Sequence, residues 1–389
     1  MELARQASRS RPAVLRNGEV AGEEPRDLRL DACRGLALWF IFLDHVPNND
    51  FAWLTLRNYG FSDTTEVFFF VSGFTCMLAY GRALQGEGWA ATITRVGRRA
   101  LEIYAAFLLT LLAYVAVVHL AGGGHFLDDT NTAIFLQRPA EAILRAGMMQ
   151  YTPVNTDVLP AFVLLHLLFP IVLWLMLRSA ALALFLSALL YIAVQVFFWN
   201  LPAWPANNWF FNPLAWQVLF VLGAWVAQAK TGWTRLRPLT RSWPVLALAV
   251  GYLVFGLAVT LSWQFDALGG WMPDGLAKLI YPIDKSNLSP LRLLHFLALA
   301  IIVAHFVPHA WRGYDNWLSR AVIRCGEHSL PIYCLGVLLS FAAQVVLTRL
   351  GGGIAIEAAI SALGIGVMIA VATILNAAAK LDHHGPKLF

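Results

Sequence analysis

The sequence predicts an all-α, polytopic integral membrane protein of about ten transmembrane helices with both termini cytoplasmic. Three observations carry that prediction. Of 389 residues, 59% are hydrophobic and only 13% are charged, against about 25% charged in soluble domains, so lipid is the main solvent. Ten stretches approach the roughly 20 apolar residues that a helix needs to cross a bilayer. Lys and Arg are also divided unevenly between the loops that join those stretches.

The spans fall at 30–47, 64–84, 100–120, 158–177, 179–198, 214–229, 243–262, 288–308, 328–348 and 353–377. The first is apolar in its middle but carries Arg34 towards one end and His45 towards the other. The second follows Asp63 and contains Glu66 and Ser72-Gly73. The third is preceded by the basic run TRVGRR. Arg178 alone separates the fourth from the fifth, and the sixth is the shortest. The eighth carries Arg292 and His295, and the ninth follows Arg324-Cys325-Gly326-Glu327. Before the first span, residues 1–28 mix Arg with Glu and hold no apolar run, which reads as a disordered cytoplasmic tail. No cleavage site of a signal peptide follows the first apolar segment. Residues 29–378 form the membrane domain and 379–389 a second cytoplasmic tail.

With the N-terminus inside, the positive-inside rule can be tested on this division. Twenty of the 28 Lys and Arg fall on the inner side, six on the outer side, and Arg34 and Arg292 lie within spans. The asymmetry agrees with an even number of crossings. The net charge of +5 is therefore a topology signal, and nucleic acid is not an expected partner. The four cysteines, Cys33, Cys76, Cys325 and Cys334, lie singly in or beside apolar segments, which predicts buried small hydrophobes and no metal site. The outer loops contain MMQYTPVNTD, WNLPAWPANNWFFNP and YPIDKSNLSP. Aromatic rings with Asn and Asp suit carbohydrate, since sugar C–H faces stack on rings and hydroxyls take hydrogen bonds. The same residues also suit an interfacial aromatic belt with ordinary turns. Tyr151, Asn155 and Trp204 are the loop candidates for contacting a substrate.

Arg34 and His45 are eleven positions apart, about 20° off three full turns, so they share one helix face about 16 Å apart along the axis. Ionisable groups at membrane depth are expensive and face a cavity or a partner. A histidine can take a proton from a hydroxyl, and an arginine can hold a phosphate with forked hydrogen bonds. The separation is comparable to an extended pantetheine arm. The pair thus fits an acyl-coenzyme A whose phosphates sit near Arg34 and whose thioester reaches His45. An interfacial arginine and a histidine bonded between helices fit the residues as well. Asp44 adjoins His45 in sequence and so points elsewhere.

These residues also carry a resemblance. Arg34-x10-His45, TEVFFFVSGF (65–74) and TRVGRRALEIY (94–104) are similar to the motifs of membrane acyltransferase family 3. More closely, RDLRLDACRGLALWFIFLDHVPNN, MMQYTPVNTDVLP, WNLPAWPANNWFFNPLAWQ, YPIDKSNLSPLRLLHFLALA and IRCGEHSLPIYCLG resemble the OpgC succinyltransferases of osmoregulated periplasmic glucans. The resemblance covers most of the chain from residue 26 to about 340. It implies ten core helices in the bacterial inner membrane, acyl-coenzyme A (succinyl-CoA in that family) as cytoplasmic donor, and a periplasmic glucan as acceptor. It implies His45 as base, by direct transfer or through a transient acyl-histidine, with Arg34 also at the site.

Other positions take roles within that frame. Glu66 falls on the acidic position of the motif and would orient His45 or stabilise its imidazolium, with Asp63 on the same face; both also suit a helix N-cap. Arg98 and Arg99 would join Arg34 in holding the coenzyme phosphates. A succinyl carboxylate needs a cation, for which Arg57, Lys285 and Arg292 are the outer candidates, with His295 beside Arg292. An interhelical ion pair of Arg292 with Asp284 or Asp266 is the structural alternative. Gly73 would permit close helix packing. His166 is expected to be a satisfied core histidine. The rival from another class is a transporter of an anion or carbohydrate precursor along the same polar path, which explains buried Arg and His equally well but not the linear motifs. The oligomeric state stays open.

Overall fold

The computed structural model describes residues 27–384 except 123, 229–231, 271 and 308–310. The predicted tail over 1–26, Lys230 of the charge count and residues 385–389 lie outside the described residues. Among the described residues every regular element is a helix, with one isolated bridge between Pro202 and Asn208 in place of any strand.

Each predicted span falls on a helix. α1 is Leu28–Asp44, begun by Asp27, whose side chain accepts from the Arg29 N–H. It takes in residue 28, which the sequence placed in the tail. α2 is Thr64–Ala121 and holds both the second and the third predicted spans. Within it Gly88 has φ 82°, a conformation that glycine alone adopts freely, so the two arms bend there. α3 (Val158–Arg178), α4 (Ala180–Phe197), α5 (Pro213–Ala227), α6 (Trp243–Gln264) and α7 (Pro290–Phe306) follow. Proline in the first turn of α5, α6 and α7 suits positions that have no intrahelical acceptor for an N–H. A short amphipathic helix, α8 (Trp317–Glu327), precedes α9 (Ser329–Leu350), and α10 (Ile354–His384) runs on into the predicted C-terminal tail.

Six helices are long and apolar enough to cross a membrane, α2 being counted once; α5 and α7 are shorter apolar helices. Large apolar side chains such as Leu109, Phe185, Leu248 and Leu363 stay exposed, as expected where lipid is the neighbour. α2 is the hub, packed against α1, α3, α5 and α9. Its crossing with α5 is very close. A Cβ on Gly73 would lie 1.8 Å from the Phe220 carbonyl oxygen, and one on Gly223 would lie 1.9 Å from that of Phe70. The two glycines let the backbones touch, as small residues do between membrane helices. Phe69 fills the adjoining space between Phe162 and Trp216, with both ring centroids 4.6 Å away.

Candidate active site

The packing of α1, α2, α3 and the loop before α7 leaves one cavity of about 1140 Å³. Arg34, Arg95 and Arg99 line one end of it, and His45, Asp63 and Lys285 line the other. Arg34 sits in the second turn of α1 and donates from Nη2 to Thr75 Oγ1 at 2.6 Å. Eleven residues on, His45 is the C-cap of the same helix. Its Nδ1 is buried and has no hydrogen-bond partner. The α1 face predicted from spacing thus lines a single cavity from end to end. Asp44 lines it too, because the helix ends there. Its Oδ1 accepts from Thr55 Oγ1 at 2.6 Å, and its carbonyl accepts from Arg57, so it does not orient the imidazole.

The start of α2 is a capping box. Asp63 Oδ1 accepts from the Thr65 N–H at 2.8 Å, and Glu66 Oε2 accepts from the Asp63 N–H at 2.9 Å. The remaining oxygens face two cations. Arg292 donates from Nε to Glu66 Oε1 at 2.8 Å and from Nη2 to Asp63 Oδ2 at 3.1 Å. Lys285 Nζ reaches the same Asp63 oxygen at 2.7 Å. Burial by itself would raise the Asp63 carboxyl, but Lys285 and Arg292 hold it well below the usual carboxylate range. Both Glu66 oxygens are therefore engaged away from His45. Arg292 is in an interhelical ion pair, with α2 rather than with Asp284. Asp284 instead accepts from the Ser286 N–H at 2.7 Å and from Asn287 Nδ2 at 2.7 Å. Those bonds form the turn that presents Lys285.

A family model described as OpgC protein matches residues 26–380. The chain belongs to the OpgC family. No curated protein and no solved structure matches it. Membership of the OpgC family points to a transferase, with an acyltransferase role in glucan modification.

The other predicted residues divide between the cavity and its surroundings. Arg99 and Arg57 line the cavity, and so does Asn155, whose carbonyl accepts from Tyr333 Oη at 2.6 Å. Arg98 points outward, 83% exposed and paired with Glu102. His295 lies behind the wall, its Nδ1 2.7 Å from Ser62 Oγ and its ring packed edge-on to Phe61. Tyr151 is fully buried and donates to the Asn131 carbonyl at 2.7 Å, while Trp204 packs against its ring. Tyr151 and Trp204 shape the loops rather than the cavity surface. His166 bonds the Phe162 carbonyl at 2.8 Å and lies 3.5 Å from Cys76 Sγ; both line the cavity.

Arg95, Thr75 and Asp157 are among the lining residues that were not singled out from the sequence. Arg95 stands one helical turn before Arg99 on the same face, so the spacing carried the signal. Its guanidinium pairs with Glu87. Thr75 is seen only by knowing how α1 packs on α2. Asp157 is the N-cap of α3, yet its side chain makes no capping hydrogen bond. Burial pushes its carboxyl up to about 6. In sequence it looks like an ordinary cap.

Proposed function

We propose that this OpgC-family chain is a multi-pass enzyme of the bacterial inner membrane that moves an acyl group, succinyl, from cytoplasmic acyl-coenzyme A to hydroxyls of a periplasmic glucan. Ten spans with both termini cytoplasmic, and membership of the wider acyltransferase family 3, belong to this reading. One observation carries it: a single cavity joins the Arg34, Arg95 and Arg99 end to the half-buried His45, whose Nδ1 has no partner.

The coenzyme phosphates lie against Arg34 and Arg99, whose planar guanidinium groups suit them. The pantetheine arm runs along the cavity. At the far end His45 takes the proton of a glucan hydroxyl, the oxygen attacks the thioester carbon, and the coenzyme thiolate leaves and is protonated. Glu66 and Asp63 act by position. They anchor Arg292 and Lys285 beside the reacting atoms. Of the three cations considered for the succinyl carboxylate, Lys285 is favoured. Asp63 keeps Arg292 as a partner when Lys285 turns to a ligand, and the Lys285 side chain is 33% exposed against 9% for Arg292.

The test is mass spectrometry of periplasmic glucans from cells carrying the wild-type chain or His45→Ala. Succinylated glucan only with wild type supports the reading. Unmodified glucan in both would move the assignment to another acceptor, and then towards transport along the same path, and succinylated glucan in both would remove His45 from the reaction.

A further inference from the structure

The Asp157 carboxylate makes no hydrogen bond or ion pair to another residue among the described residues, although it lines the cavity. A carboxylate set into such a wall costs stability unless something bonds to it. Aromatic side chains from the outer loops line the same cavity. Phe210 and Phe211 come from the loop before α5, Trp263 from the end of α6, and Tyr281 from the loop before α7. Phe210, Trp263 and Tyr281 are 46%, 60% and 40% exposed. An interfacial belt scatters its rings around the rim facing lipid; these come from three segments and line one cavity, with the Phe211 ring 5.7 Å from Lys285 Nζ. Lys285 lies within electrostatic reach of both His45 and Asp157, so all three border the same end of the cavity.

The charges there select the ligand class. Lys285 and Arg292 already balance Asp63 and Glu66. A cationic ligand at Asp157 would meet Lys285, and an anionic one would meet Asp157 itself. A neutral polyhydroxyl ligand meets neither penalty. Its hydroxyls donate to the carboxylate, and its C–H faces stack on the rings.

We infer that the His45 end of the cavity is a carbohydrate-binding subsite in which Asp157 accepts hydrogen bonds from acceptor hydroxyls and Trp263 and Tyr281 form the stacking surface. Its role in catalysis rests on the acyl-transfer reading above; the binding of sugar does not. Asp157 holds the acceptor and His45 takes its proton, so the two act on different kinetic constants.

The experiment uses the full chain in lipid nanodiscs, with succinyl-CoA as donor and a soluble glucose oligosaccharide as acceptor probe. Binding of the oligosaccharide is followed by tryptophan fluorescence, and transfer by release of coenzyme A. Asp157→Asn is expected to weaken oligosaccharide binding and raise the acceptor KM by about tenfold or more, with the succinyl-CoA KM unchanged. Asp157→Glu, which keeps the acceptor oxygens, should recover part of that loss, and Trp263→Ala should weaken binding as well. Unchanged oligosaccharide affinity in Asp157→Asn, or an equal rise in the donor KM, would overturn the subsite. If the wild type binds oligosaccharide through Asp157 but releases no coenzyme A, the subsite stands and the transfer reading falls.

Discussion

Arg292 Nε lies 2.8 Å from Glu66 Oε1, joining α7 to the first turn of α2 across a buried contact. The same guanidinium reaches Asp63. Buried charges of this kind are tolerated when each oxygen and N–H has a partner, and breaking one side leaves the other uncompensated. Arg292→Met should therefore cost about 3–5 kcal/mol, read as a lower thermal midpoint in detergent. Adding Glu66→Gln should recover much of the loss, because Asp63 still has Lys285. A single variant as stable as wild type would show that the pair is not buried as described.

Lys285 shares its acceptor with Arg292, so its removal leaves Asp63 paired. Lys285→Met should cost less stability than Arg292→Met, about 1 kcal/mol. Its larger effect should be on donor use: succinyl transfer falling by about tenfold, with Lys285→Arg keeping most of it. Equal transfer by wild type and Lys285→Met would remove Lys285 from acyl recognition.

The basic stretch before the third span has two faces. Arg99 lines the cavity, and Arg98 is turned outward. Arg34→Ala and Arg99→Ala should each raise the KM for acyl-CoA by about tenfold, while Arg98→Ala stays within about twofold. A topology role alone would make Arg98 and Arg99 equivalent in the same assay.

Burial raises the Asp157 carboxyl to about 6, with Lys285 acting the other way. Tyr333 and Tyr114 also lie within its electrostatic reach. A raised folded-state value means that the ionised form costs stability: the cost is absent below the unfolded value, grows as pH rises from there to about 6, and is constant above. Asp157→Asn should therefore raise the thermal midpoint at neutral pH, by a gain on the order of 1 kcal/mol, while weakening the acceptor. In the wild type the acceptor KM should rise as pH falls through about 6, and that dependence should vanish in Asp157→Asn. A thermal midpoint lowered by the substitution would mean that the carboxylate has a structural partner.

Much of the fold was legible because membrane helices are long and apolar. All ten predicted stretches are helical, and the shared face of Arg34 and His45 followed from helix geometry alone. The bend at Gly88 was not legible, since a glycine between basic residues reads as a loop. The partners of Arg292 were hidden for a different reason. Glu66 lies 226 positions away in sequence, and nothing local distinguishes it from a capping residue. It is in fact both. Aromatic residues in the outer loops were visible as a class, but not their orientation. Tyr151 and Trp204 pack into the loops, while Phe210, Trp263 and Tyr281 line the cavity. Asp157 was hidden by occupying the one position where an unremarkable aspartate is expected.

We propose above all that His45 performs acyl transfer at the end of this cavity. The most direct test is the mass of periplasmic glucans from cells expressing wild type or His45→Ala at equal levels in the membrane. An added succinyl group is expected with wild type and none with His45→Ala, the variant remaining folded and inserted. Succinylated glucan in the His45→Ala cells would contradict it.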